Sequence, residues 1–269
     1  MQENTTLNAL VMRRARDLLA EYGWPEKTDI DQRDAINRPG WISLYARLDA
    51  DEIVRFLRAQ RTGDMPEPLQ SAIRKLAGTR AEINVSGSRH SDFPQMPGDD
   101  TQIAFPWAGE WLADDEIRAV MACLSCAVEG ICRQVLTDSR RIKAALSTQG
   151  KTLFSRQTRN FRLVVKESDM PCWLDEDDET LPTVLDAIMN DGARYSAVEV
   201  FVVSEKVEQI LSSGLVSDVL RRSGEHPRKW IALTVVHESI TEARAEIQAI
   251  RHTLEAIKPE AGAKSRHAV

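Results

Sequence analysis

The residues best suited to chemistry form a basic stretch in the middle of the chain. Between Arg133 and Lys166 the sequence contains nine basic residues and a single acid, Asp138. Residues 155–162 (SRQTRNFR) place Ser, Gln, Thr and Asn among the arginines. Arginine binds phosphate oxygens, polar side chains add hydrogen-bond donors, and aromatic rings stack on unpaired bases. This composition predicts contact with nucleic acid or another polyanion through Arg140, Arg141, Lys143, Arg156, Arg159 and Arg162.

An acidic stretch follows at once and gives the basic residues a second explanation. Residues 167–191 contain nine acids and no Lys or Arg, including the run Asp175–Glu179. The formal net charge of -6 therefore combines two opposed blocks. Charge runs are commonly solvated surface, and neighbouring blocks of opposite sign can pair with each other. The basic residues then either bind a polyanion or an acidic protein, or pair with Asp175–Glu179 within the molecule.

Residues 86–112 supply most of the candidates for catalysis. Three prolines and three glycines predict a long irregular segment, and loops of this length are uncommon and often functional. Imidazole and carboxylate groups suit a divalent metal, although their spacing matches no metal motif. The alternative is a structural loop that its aromatic residues attach to the protein body. A metal-dependent hydrolase or phosphodiesterase would use His90, Asp92, His237 and Glu238 as catalytic residues and Asp99 and Asp100 as metal ligands.

The sequence contains none of the common motifs of enzyme and cofactor sites. GxGxxG, GxxxxGK[ST], GxSxG and HExxH do not occur, so we expect no cofactor and favour a protein that is not an enzyme. Cys123 and Cys126 form a CxxC pair, but it lies well inside a predicted helix. A redox pair is normally found at a helix N-terminus, where the helix dipole lowers the thiol pKa. We therefore interpret these cysteines as packing residues.

The elements that must position these residues differ along the chain. The first part is predicted to be mostly helical, with short strands at 41–48 and 81–86. Asp49 precedes Glu52 by three residues, which is the spacing of a capping box and predicts the start of a helix. A long central helix is predicted from Asp114, with apolar residues along one face.

The C-terminal part alternates predicted strands with predicted helices. Apolar runs at 161–165, 195–203 and 230–236 predict three strands, and helical spacing follows each of them, as over 207–220. This alternation indicates an α/β fold, in which a βαβαβα unit surrounds a mainly parallel three-strand sheet. Ligands bind beyond the carboxyl ends of parallel strands, where His237 would lie.

Composition and boundaries complete the prediction. Four cysteines are too few for a disulfide scaffold, no apolar run approaches the roughly 18 residues of a membrane span, and the N-terminal residues do not resemble a secretory signal. We expect a cytoplasmic protein without a membrane partner. Its predicted parts are a mostly helical part at 1–112 that ends in the long loop, central helices at 113–150, the α/β unit at 151–258, and a disordered tail at 259–269.

These observations favour one function and leave two alternatives open. The favoured function is a non-enzymatic binding or accessory protein of a cytoplasmic assembly, which contacts nucleic acid or another polyanion through residues 133–166. The first alternative is the hydrolase that uses residues 86–112. The second is a structural or protein-interaction module, acting with protein partners or as a homo-oligomer.

Overall fold

The chain forms two compact units, and a segment that interrupts the second unit in sequence belongs to the first. A computed structural model describes residues 5–33, 41–60, 65–90, 100–175, 177–206 and 208–257. The first unit consists of Met1–Ala145 with Trp173–Asp191, and the second consists of Leu146–Cys172 with Gly192–Val269. The backbone therefore passes between the units three times.

The first unit contains, among the described residues, five helices and one four-stranded sheet. All strand pairs are antiparallel, in the order β1-β2-β3-β4. Its elements are α1 (Thr5–Glu21), β1 (Asp29–Arg33), β2 (Trp41–Asp49), α2 (Ala50–Ala59), α3 (Glu67–Leu76), β3 (Glu82–His90), β4 (Asp100–Ala104), a 3-10 turn (Ala108–Glu110), α4 (Asp114–Leu146) and α5 (Leu181–Asp191).

Alternation along β2 gives this sheet one buried face and one polar face. Ile42 and Leu44 are buried, whereas Tyr45 is half exposed. Ser86 of β3 lies directly opposite Tyr45 on the polar face. An antiparallel sheet that is covered on one side and solvated on the other is the expected result of this pattern.

A capping box connects β2 to α2, as the sequence predicts. The Glu52 N–H donates to Asp49 Oδ1 at 2.9 Å, and the Asp49 N–H donates to Glu52 Oε2 at 2.9 Å. Two backbone donors at the start of the helix are thereby satisfied, which confirms this prediction.

The long helix α4 packs against other helices of the first unit. Val120, Leu124 and Ile131 are fully buried, and Arg14 Nε of α1 donates to Asp138 Oδ2 at 2.7 Å. Of the described helices, α4 passes a test of length and hydropathy for crossing a membrane. Its buried apolar face accounts for that composition, since the core helix of a globular unit passes the same test.

The second unit is a four-stranded sheet covered on one face by a helix. The strands are again all antiparallel and follow the order β5-β6-β7-β8. Its described elements are β5 (Thr152–Gln157), β6 (Phe161–Glu167), β7 (Arg194–Ser204), β8 (Ile210–Arg221), a 3-10 turn (Pro227–Lys229) and α6 (Leu233–Ile257). The core beneath α6 consists of Val165, Val198, Val200, Val219 and Ile231.

The prediction of a mainly parallel three-strand sheet is wrong. Both sheets are antiparallel, so the fold is not a βαβαβα unit. Most of the helix predicted over 207–220 is strand β8, and the strand predicted at 230–236 contains the start of α6 at Leu233. The helix α5 does lie between β6 and β7 in sequence, but it belongs to the first unit. It therefore does not form the crossover that would make β6 and β7 parallel.

The segment 86–112 is also more regular than predicted. Residues up to His90 belong to β3, and Asp100–Ala104 form β4, with Ser88 directly opposite Asp100. Residues 91–99 lie outside the described residues, as does the tail predicted to be disordered at 259–269.

The two units share one order of elements. In sequence, each sheet is formed by a strand pair, a helical segment and a second strand pair, and a long helix follows; the four strands of each sheet pair in sequence order. After β2, the helix α2 contacts its own sheet at β2. The helix at the corresponding place after β6, α5, instead belongs to the first unit and contacts α1 there.

Candidate binding site on the open face of the second sheet

The register of β6 separates its side chains between the two faces of the second sheet. Leu163 and Val165 point toward α6 and its core. Arg162, Val164 and Lys166 therefore lie on the face that α6 does not cover, which we call the open face. The neighbouring strands add to it the residues Ser155 of β5, Glu199, Phe201 and Val203 of β7, and Ser213 and Leu215 of β8.

A groove of 420 Å³ runs along the open face. Phe201 stands in its middle, directly opposite Val164 on the neighbouring strand. The Lys166 ammonium lies 5.9 Å from the centre of the Phe201 ring, within the range of a cation–π contact. The full lining is Thr152, Ser155, Arg162, Val164, Lys166, Phe201, Val203, Glu208 and Ile210.

Arg162 is held loosely at one end of this groove. Its Nε lies 4.0 Å from Glu205 Oε1, which is too far for a hydrogen bond. Both atoms are buried and have no hydrogen-bond partner among the described residues. The other oxygen of Glu205 accepts a hydrogen bond from Gln157 Nε2 at 2.9 Å. The carboxylate is therefore fixed, while the guanidinium retains donors for an incoming acceptor.

Three acids offset part of the positive charge on or beside the open face. Glu199 is opposite Lys166 in register and accepts a hydrogen bond from Ser168 Oγ at 2.7 Å. Glu205 faces Arg162, and Glu208 lines the groove from the turn between β7 and β8. The open face therefore carries both positive and negative side chains. Arg162 and Lys166 are candidates for binding because they line the groove, and not because positive charge is in excess.

A buried ion cluster supports the end of the sheet behind the open face. Glu167 Oε1 accepts from Arg221 Nη2 at 2.9 Å and lies 3.8 Å from Arg194 Nε, and its side chain is 2% exposed. Glu167 Oε2 accepts from the Gln149 N–H at 3.0 Å. Burial raises the pKa of Glu167, but these hydrogen bonds and the two arginine charges outweigh it, so the pKa lies below its usual value.

The same arginines bind further groups that hold them in place. Arg221 Nη2 also donates to Ser196 Oγ at 2.9 Å, and its guanidinium lies 5.9 Å from the centre of the Trp230 ring. Arg194 Nη2 donates to the Ser147 carbonyl oxygen. The cluster ties the strands β6, β7 and β8 to one another at one end of the sheet.

The predicted polyanion-binding residues are divided between the two units. Arg140, Arg141 and Lys143 are exposed on α4 in the first unit, whereas the other three belong to the second unit. Arg162 lines the groove, and Arg159 is exposed in the turn between β5 and β6. Arg156 is opposite Leu163, so it lies on the face that α6 covers.

The acidic run falls in the first unit, since Trp173–Asp191 belong to it. Within the run, Asp178 lies in the turn before α5, where its Oδ1 accepts hydrogen bonds from the backbone N–H and the hydroxyl of Thr180, both at 2.7 Å. These two bonds lower the pKa of Asp178. One acid of the run thus has a local structural role.

The residues predicted for catalysis are differently placed from the sequence expectation. His237 and Glu238 are exposed in the first turns of α6 and do not follow a strand. His90 and Asp100 belong to β3 and β4, while Asp92 and Asp99 lie outside the described residues. Within the described ranges there is no group of three or more His, Cys, Asp or Glu residues that could hold a metal ion.

All four cysteines lie in described parts of the chain and are free thiols. Burial and the neighbouring Cys126 raise the pKa of Cys123, and burial raises the pKa of Cys172 to about 11. Raised thiol pKa values suppress the reactive thiolate. Cys123 and Cys172 are half-buried, as expected of packing residues, whereas Cys126 is exposed and does not fit the packing interpretation.

Phe201 is the central groove residue that the sequence interpretation missed. The sequence predicts 195–203 as a strand that is nearly continuous in its apolar character and singles out none of its residues for binding. Glu199, in the middle of that strand, marks one face as accessible and could have revealed the position of Phe201 two residues later.

Fold and site define a protein of two α+β units, each built on a four-stranded antiparallel sheet, with a groove on the open face of the second sheet. Residues 4–142 match the family described as the N-terminal domain of YubG, and residues 151–257 match the family described as its C-terminal domain. The chain therefore belongs to the YubG family. No solved structure shows a significant match.

Proposed function

We propose that this protein is a non-enzymatic binding protein, an accessory component of a cytoplasmic assembly, which holds nucleic acid or another polyanion on the open face of its second sheet. The groove carries this proposal, because Arg162 and Lys166 both line it. Cations that point into a groove can contact phosphate oxygens on a ligand that lies along the sheet.

The state of Arg162 supports the proposal. Its Nε is buried without a hydrogen-bond partner among the described residues, and the nearest carboxylate oxygen is 4.0 Å away. A buried donor without an acceptor is costly, so a phosphate oxygen that reaches it gains more than it would at a fully solvated arginine. The rigid sheet behind Arg162 limits the entropy lost on binding.

Salt dependence is the direct test. A fluorescein-labelled oligonucleotide titrated at two or more salt concentrations should bind with an affinity that falls as salt rises. Arg162→Gln should weaken binding and reduce the log–log salt slope by about 1. Arg156→Gln is the matched control, since Arg156 lies on the adjacent strand but on the opposite face. Equal effects of the two variants, or binding independent of salt, would contradict the proposal.

The helix α4 remains a second predicted contact region for the same ligand. Arg140, Arg141 and Lys143 are exposed there, in the first unit. A variant with all three changed to Gln should lower the salt slope further if these side chains also contact the ligand. An unchanged slope would confine the contact to the second sheet.

A protein-interaction module is the second candidate, and one observation favours it. Ile210 and Leu215 of β8 are 56% and 45% exposed, which places large apolar side chains on or beside the open face. The polar face of the first sheet offers no comparable residue beyond Tyr45 among its described side chains. Light scattering and a pull-down with Leu215→Ser as the comparison would test this candidate.

A further inference from the structure

The ligand class can be narrowed by the arrangement of the groove, on the assumption that the proposed function is correct. We propose that the groove takes an unpaired base of a single-stranded nucleic acid, which stacks on Phe201 while flanking phosphates contact Arg162 and Lys166. The chain would thus prefer single strands to duplexes.

The two cations lie on either side of Phe201 along the strand direction. Arg162 and Lys166 are four residues apart on one face of one strand, which separates their Cα atoms by about 13 Å. Phe201 lies opposite Val164, the residue midway between them. A strand of nucleic acid laid along β6 therefore presents a base to the ring and backbone charges on either side of it.

The walls of the groove suit the flat, weakly polar face of a base. Val164, Val203 and Ile210 supply apolar surface around Phe201, and the volume of 420 Å³ leaves space for a ring system. Base–aromatic stacking of this kind tolerates any base, because every base has a π-face. Glu208, the acid of the lining, can accept hydrogen bonds from base amino groups but repels phosphate.

The ring of Phe201 is reached from the groove rather than sealed in the core. The Lys166 ammonium already lies 5.9 Å from its centre, so a cation approaches the ring from the open face. A base that stacks on the ring would replace this contact, and Lys166 would then be drawn to the adjoining phosphate. In a duplex the base faces are covered by stacking on their neighbours, so the ring has no access to them.

The test compares four probes on the full chain. These are a labelled single-stranded oligonucleotide, the same strand annealed to its complement, heparin, and poly-glutamate. The wild-type protein should bind the single strand more tightly than the duplex. Phe201→Leu should lose about tenfold or more in single-strand affinity, with little change for duplex and heparin. Phe201→Trp should retain the preference for single strands, because the aromatic surface is kept.

Phe161→Leu provides the matched control. Phe161 starts β6 and lies on the α6-covered side by register, so its replacement should leave the single-strand preference unchanged. Far-UV circular dichroism of each variant distinguishes loss of stacking from loss of folding.

The outcomes separate this inference from the proposed function. Equal single-strand and duplex affinity, or an unaltered preference in Phe201→Leu, would overturn stacking while leaving salt-dependent polyanion binding intact. Binding of poly-glutamate as tight as that of the oligonucleotide would show that the groove responds to charge alone and would also overturn it. Failure to bind any of the four probes would overturn both proposals.

Discussion

Glu167 is the buried centre of the ion cluster in the second sheet. Its buried carboxylate is bonded to Arg221 and to the backbone of Gln149, and Arg194 is close by. Glu167→Gln keeps the shape but removes the carboxylate charge that pairs with both arginines. We expect a loss of about 3 to 5 kcal/mol in the free energy of unfolding, as when one partner of a buried pair is removed.

Chemical denaturation of the two proteins measures this loss. Glu246→Gln is the control, because Glu246 is exposed on α6. A loss in Glu167→Gln no larger than in this control would contradict a structural role for the cluster.

The pH dependence of stability provides an independent check on the same variant. Because the pKa of Glu167 is lowered on folding, its contribution is present above the unfolded value of about 4.3 and is lost as pH falls through the folded value. Glu167→Gln should therefore lose less stability than the wild type on acidification below about pH 4.3. Glu116, whose pKa is lowered to about 2 by hydrogen bonds from Lys75, Ser71 and Ala113, remains in both proteins and retains part of the acid dependence.

At the residue scale, the sequence shows which residues are charged but not which face of the sheet each of them occupies. Arg162 and Arg156 belong to the same basic run, yet the antiparallel register puts them on opposite faces of one sheet. Nothing in a local sequence pattern distinguishes two arginines on neighbouring strands. Only the pairing of the strands does so, because register is set by long-range contacts.

At the scale of elements, Gly214 shows how closely α6 packs on the second sheet. A Cβ at this position would lie 2.7 Å from Ser239 Oγ and 2.8 Å from Val235 Cγ1, both on α6. Gly214→Ala must therefore displace these side chains, the helix or the strand, and we expect a destabilisation of about 1 to 3 kcal/mol. Thermal unfolding of the variant measures this cost.

Ser213→Ala is the matched control for this change. Ser213 precedes Gly214 on β8 but faces the open side and is exposed, so Ser213→Ala removes a solvated hydroxyl and leaves the contact with α6 unchanged. If Gly214→Ala were as stable as Ser213→Ala, the close approach of α6 to β8 would be incorrect.

Local patterns predicted some elements correctly and failed where pairing decides the structure. The capping box at Asp49, the strand around 195–203 and the helix after Thr180 all formed. The run 210–221 has apolar residues at spacings that fit a helix or a strand, and pairing with β7 resolves it as a strand. The β-branched residues after Leu233 favoured a strand, but packing on β8 makes them helical.

One available pattern pointed to the correct sheet type. Arg162 and Lys166 alternate with apolar residues on β6, and Glu199 interrupts the apolar run of β7. Strands of a parallel sheet are buried on both faces, so charges at alternate positions indicate an antiparallel sheet with one solvated face. The alternation of strands and helices along the chain outweighed this evidence in the prediction.

At the scale of the whole molecule, the two units are linked because one segment of chain lies between the two parts of the second unit in sequence but belongs to the first unit. The segment 173–191 interrupts the second unit in sequence. Its residues Leu181, Leu185 and Ile188 are nevertheless buried within the first unit. The Leu174 N–H donates to Thr6 Oγ1 of α1 at 3.1 Å, and α5 contacts α1. Neither unit is therefore a contiguous piece of chain, and no cut at one position separates them.

This linkage predicts the behaviour of an isolated C-terminal fragment. A fragment of residues 146–257 carries α5 without α1, so the apolar side chains of α5 lose the surface that buries them. We expect this fragment to bind a hydrophobic dye and to self-associate. The same fragment with 173–191 replaced by a Gly/Ser linker of equal length should bind less dye and remain monomeric in light scattering, because the second sheet and α6 retain their own core. If the two fragments behaved alike, α5 would not depend on the first unit for its burial. The assignment of residues 173–191 to the first unit would then be wrong.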